Sequence, residues 1–181
     1  MPSFTAEQTT EPTNPEPEIK FDVQPFFDFD LVEFWGPAKH TTPTPFSEDV
    51  LTQFRKEKPQ FHLPDSYLAF LRVRNGGYCT KDMVPTDDPE CPIGVESFFP
   101  IENLIGDNTD WIDEWGYPSE YLYIADTPSG GHDMIALDYS VDPLEPRVVN
   151  IDQEMEYRVL VVADCFEEFI KKMKTSEELG F

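Results

Sequence analysis

Ser129, His132 and Asp133 cluster in Thr127-Pro128-Ser129-Gly130-Gly131-His132-Asp133, and Asp138 follows shortly after. A hydroxyl, an imidazole and two carboxylates are the makings of a hydrolase or of a metal-assisted site. The pattern around them argues against both. Ser129 lacks the first glycine of Gly-x-Ser-x-Gly, and no helix follows to form a nucleophile elbow. Only three histidines exist, and His40 and His62 lie far from His132, so a His-rich zinc site would need all of them to converge. The adjacent glycines have no lysine and lead into a strand, whereas phosphate loops open onto a helix N-terminus. Cys165 stands at the start of an amphipathic helix, a place that suits a structural element as well as an activated thiol. Asp82, Asp87, Asp88 and Glu90 lack the oxygen spacing and glycine turn of a calcium loop and read as solvated acids. No catalytic residue, metal or cofactor is expected.

Two readings remain for the glycine loop. Gly130 and Gly131 supply backbone conformations closed to other residues, so His132 and Asp133 face either a pocket or the loop's own amides. In the first case they touch a partner; in the second they brace a turn. Asp138 alternates with Leu137 and Tyr139 along a strand and points to the side of Met134 or to solvent.

The elements that hold this loop follow from periodicity. Ser47 opens a helix with Val50, Leu51 and Phe54 on one face, closed by Pro59. A second helix places Pro64 in its first turn, turns Tyr67, Leu68, Phe70 and Leu71 inward, and stops at Asn75-Gly76-Gly77, read as a C-cap. Residues 78–92 have no assignable pattern. Ile93 to Phe98 reads as a strand, Ile101 to Leu104 as a short helix or loop, and Trp111, Ile112 and Trp115 as an amphipathic turn. Four strands then follow, at 121–125, 134–139, 147–151 and 157–162, joined by links too short for a crossover helix. A final helix starts with Asp164 as cap and Glu167 reaching back, and buries Phe166, Phe169, Ile170 and Met173. The sum is an α+β fold, an antiparallel meander packed against N-terminal helices and a C-terminal helix.

Composition sets the boundaries. Residues 1–20 carry four prolines and four glutamates and little that is apolar, and are expected to form a disordered acidic tail on a single domain spanning 21–181. The aromatic group Phe26, Phe27, Phe29, Phe34 and Trp35 either docks on the core or forms a partner patch. Three cysteines in no Cys-x-x-Cys arrangement, no signal-peptide pattern and no apolar run of membrane length point to the cytoplasm. Thirteen Lys and Arg stand against 36 Asp and Glu, a net charge of −23. Such a surface repels nucleic acid and anionic membranes, and its natural complement is a basic protein.

Leu63-Pro64-Asp65-Ser66-Tyr67-Leu68, Asn75-Gly76-Gly77, the Gly130-Gly131-His132-Asp133 loop and Ala163-Asp164-Cys165-Phe166-Glu167-Glu168-Phe169-Ile170 occur in the order seen in the SMI1/KNR4 family, or SUKH superfamily. The chain resembles that family from about Phe34 to Met173. The resemblance implies a non-enzymatic protein-binding domain. Bacterial members are viewed as immunity proteins that neutralise polymorphic toxins, many of them nucleases, and fungal members as scaffolds linking signalling to cell-wall synthesis. No catalytic residue is carried over. The candidate structural or partner-binding positions are Gly130, Gly131, His132, Asp133, Asp138, Trp111, Trp115, Asn75, Gly76 and Gly77.

Overall fold

A computed structural model describes residues 26–35 and 44–181. The expectations for the tail at 1–20, and for His40 and the loop around it, fall outside the described residues. Six α-helices and eight strands are described: α1 Leu31–Phe34, α2 Glu48–Glu57, α3 Asp65–Val73, β1 Gly77–Tyr78, β2 Met83–Val84, β3 Ile93–Gly94, β4 Ser97–Phe98, α4 Asp107–Asp113, β5 Tyr121–Asp126, β6 Asp133–Asp138, β7 Arg147–Asp152, β8 Arg158–Ala163, α5 Phe166–Lys172 and α6 Ser176–Leu179. Strands run in the order β1-β4-β5-β6-β7-β8, every neighbour antiparallel, and β2 pairs with β3 apart from them. The fold is the expected α+β arrangement around a β5–β8 meander.

Local chemistry explains the helices. Ser47 caps α2, its hydroxyl accepting from the Val50 amide at 3.3 Å, with acids in the first turn and Arg55 and Lys56 in the last. Pro64 is the N-cap residue of α3 rather than part of its first turn, and its carbonyl accepts from Leu68 at 3.0 Å. Residues 66–71 of α3 are all buried, which makes it the central helix. Phe34, Trp35, Phe70, Phe98 and Phe166 interlock largely edge to face: Phe70 lies 4.9 Å from Phe98 and 5.3 Å from Phe166 between centroids. Phe27, Phe34 and Trp35 thus belong to the core.

Several boundaries differ from the sequence reading. Residues 93–98 form two short strands, because the chain leaves β2 after Gly94 and joins β4 to β1 and β5 from Ser97. The excursion at 78–92 contains β2, anchored by reciprocal bonds between Met83 and Lys174. Tyr157 stands outside β8: Glu156 and Tyr157 take φ of 56° and 57° after a 3-10 turn at Gln153–Met155, whose cap is Asp152. At the last helix α5 begins one residue late. The Asp164 amide donates to Glu168 at 2.9 Å, while Glu167 pairs with Lys171. A closing α6 carries a full capping box of Thr175 and Glu178.

Candidate functional site

The glycine loop joins β5 to β6 and is braced by side chains on both sides. Thr127 donates its hydroxyl to Asp133 Oδ1 at 2.7 Å, Ser129 Oγ lies 2.8 Å from the same hydroxyl, and the Asp133 amide donates to Ser129 Oγ at 2.9 Å. Asp133 Oδ2 accepts from Asn150 Nδ2 on β7 at 2.9 Å. Both carboxylate oxygens therefore serve the protein's own frame. Small hydroxyl residues at 127 and 129 build the turn by bonding nearby backbone.

An aromatic shelf lies against the glycines. Gly131 takes φ of 96°, and a Cβ there would sit 3.1 Å from the Trp111 ring, so a side chain would strain the backbone and press on Trp111. Tyr117 donates to the Gly131 carbonyl at 2.7 Å, and Trp111 packs edge on against Trp115 and Tyr117. Burial, with the nearby charge of Asp133 adding to it, pushes the Tyr117 hydroxyl up. Tyr157 and Gln153 both donate to the Trp115 carbonyl, at 2.7 and 3.1 Å. Trp115 keeps 36% of its surface open. His132 stands beside it and faces out, with Nδ1 3.6 Å from Glu154.

Gly130, Gly131, His132, Asp133, Trp111 and Trp115 thus form one neighbourhood, and the other candidates lie elsewhere. Asp138 ends β6, five residues or roughly 16 Å from Asp133 along the strand. It is buried, and it accepts from Arg147 and from the Ser140 amide at 2.9 Å. Burial raises its proton affinity, but the bonds from Ser140 and Arg147 outweigh that and hold the carboxyl below its ordinary value.

Asn75-Gly76-Gly77 forms a third place. The C-cap of α3 is Arg74, in extended conformation, rather than Asn75-Gly76-Gly77; Asn75 instead accepts from the Ile101 amide at 2.9 Å and donates to Glu102 at 2.8 Å, tying down the turn that follows Pro100. Gly76, at φ 81°, would place a Cβ 2.6 Å from Pro100 N, so only glycine lets β1 run this close.

No hydrogen bond links Ser129 to His132 among the described residues, and Ser129 is committed to Asp133 and Thr127. Asp88 binds the amide of Glu90 at 3.0 Å, an ordinary Asx turn. No group of three or more His, Cys, Asp or Glu converges among the described residues.

Sequence reasoning missed a groove of about 580 Å³ lined by Pro85, Asp87, Asp88 and Ile93 on one side and by Leu160 and Val161 of β8 on the other. Asn150 reaches both this groove and Asp133, so the loop and the groove share a wall. Thr127, Asn150 and Tyr117 were missed too. The Thr127-x-Ser129 spacing ahead of Asp133 was the available signal.

The SMI1 / KNR4 family (SUKH-1) model matches residues 45–172. The chain belongs to that family. No curated protein and no solved structure matches it significantly. Among the described residues no helix is long and apolar enough to cross a membrane.

Proposed function

We propose that this chain is a cytoplasmic, non-enzymatic SUKH domain that acts as an immunity protein, binding and neutralising a basic, nuclease-type toxin. The observation that carries the reading is family membership across residues 45–172, since the family is generally one of binding and immunity domains. The net charge of −23 supports the choice of a basic partner, because opposite charge speeds encounter and excludes acidic competitors. Trp115, partly open at the rim of the braced loop, supplies the aromatic anchor such interfaces favour.

The test is recovery of tagged protein from its host at low and then moderate salt, with mass spectrometry of whatever stays in stoichiometric amount. A single basic protein whose nuclease activity falls when the chain is added supports the reading. Recovery of no protein partner counts against it. A second reading, an intracellular scaffold for cell-wall synthesis and signalling, draws on the proline- and glutamate-rich first 20 residues. Deleting them leaves a neutraliser's affinity intact and strips a scaffold of partners.

A further inference from the structure

β8 ends the sheet order and has no strand beyond it among the described residues. At the other end β1 is followed by an isolated bridge between Trp35 and Cys79, and β2 by one between Met83 and Lys174. Both of those edges are only two residues long. Along β8, Arg158 to Leu160 and Val161 are exposed, and the three consecutive apolar residues Val159, Leu160 and Val161 remain 39%, 44% and 44% open. Soluble proteins protect such an edge with charge, proline or a covering segment, since its backbone is a template for another strand. Among the described residues the protection is confined to the two ends of β8, where Arg158 carries a charge and Lys172 donates to the Val162 carbonyl at 2.7 Å. Leu160 and Val161 are sequence neighbours and point to opposite faces of the sheet, yet both line the groove. Arg158 and Leu160 share one face with Asn150, which lies opposite Leu160, and they line the groove with it, so the groove lies over that face and reaches the open edge at Val161.

We propose that this edge and its groove receive an extended, basic segment of the partner protein as an added strand. Main-chain bonds to β8 would hold the segment, its alternate apolar side chains resting on Val159 and Val161 while those between them fall on the Leu160 side of the groove. Its Lys or Arg side chains would meet Asp87 and Asp88, both exposed on the opposite wall, and Glu90 beside them. Of the groove's own cations, Arg158 pairs with Asp152 at 3.4 Å and Lys172 donates to the Val162 carbonyl, and the surplus of acid over the whole chain makes a basic segment the favoured occupant. Charge also decides among occupants. A second copy would bring another −23, and residues 1–20 of this chain hold four glutamates and one lysine. The inference rests on the protein-binding reading above and names the surface that reading uses.

The experiment is selection of a phage-displayed library of random 12-residue peptides on the full chain at low salt, followed by titration of the enriched synthetic peptides. Peptides that alternate β-branched residues with Lys or Arg are expected. Binding should fall at least tenfold with Val161→Lys, fall severalfold with Asp87→Asn/Asp88→Asn, and vanish when alternate backbone amides of the peptide are N-methylated. Circular dichroism confirms that the variants fold, which their exposed positions favour. Four outcomes overturn the inference: no enrichment, enrichment of acidic or helical peptides, equal binding to the variants, or a Val161-dependent dimer of the chain in light scattering. A basic protein partner that binds Val161→Lys as tightly as the parent also overturns it, while leaving the proposed function standing.

Discussion

Asp133→Ala tests whether the glycine loop is a brace or a contact. The substitution removes the acceptor for Thr127 at 2.7 Å and for Asn150 at 2.9 Å. Thr127 retains the Asp133 carbonyl at 3.0 Å, so its share of the loss is small. Asn150 is buried, and among the described residues its amide retains only the Met134 carbonyl at 3.4 Å, beyond good hydrogen-bond length. A buried amide left this way costs about 1–3 kcal/mol, and the Thr127 bond adds up to about 1. The total is about 1–4 kcal/mol, or a fall of about 2–16 °C in Tm for a domain of this size. Asp133→Asn should cost under about 1 kcal/mol, because its oxygen still accepts from Asn150 while the Thr127 hydroxyl rotates to accept from its amide. Asn150→Ala should partly rescue Asp133→Ala in a double-mutant cycle, since no orphaned amide remains. Thermal and urea unfolding followed by circular dichroism measure the parent and the four variants. A Tm for Asp133→Ala within 2 °C of the parent, or an Asp133→Asn as damaged as the alanine variant, would refute the reasoning.

Three further outcomes are expected. Tyr67 is fully buried, its hydroxyl has no hydrogen-bond partner among the described residues, and burial pushes that hydroxyl up. Tyr67→Phe should therefore raise Tm by about 2–4 °C, from about 1 kcal/mol of relieved desolvation; a lower Tm in calorimetry would show a missed partner. Asp138→Asn should narrow the pH dependence of stability. Because the folded carboxyl titrates below its ordinary value, its contribution is present above the unfolded pKa and is lost as pH falls through the folded one. The Tm gap to the parent should be wide at pH 7 and close in acid, and a gap independent of pH would contradict the ion pair's role. Trp115→Ala should weaken partner binding at least tenfold while lowering Tm less than Trp111→Ala does, because Trp111 is the more enclosed ring under Gly131; the reverse order would assign Trp115 to the core alone.

Elements with strong period were legible in the sequence. The β5–β8 meander, α2 and α3 follow from apolar spacing and turn residues, and they place the glycine loop between β5 and β6. What failed was of three kinds. Short strands such as β1 to β4 hold two residues each, and no window that short carries a periodic signal. Side-chain bonds across distance were also hidden: nothing near Asp133 announces Asn150 on β7, and nothing near Asn75 announces the amide of Ile101. The β8 groove was missed for a third reason. Val159-Leu160-Val161-Val162 is a continuous apolar run, which reads as a strand buried on both faces, whereas its first three residues lie open at the sheet's edge. Asp138 shows the same limit, since alternation alone left its side open and the pairing with Arg147 on the next strand decided it.

The most direct measurement is the association rate of the recovered partner with the full chain, by surface plasmon resonance from low to physiological salt. A domain that captures a basic protein through its acidic surface gives a one-to-one complex whose association slows steeply with salt, by tenfold or more, while dissociation changes little. An acidic partner, or an association rate indifferent to salt, would contradict the account.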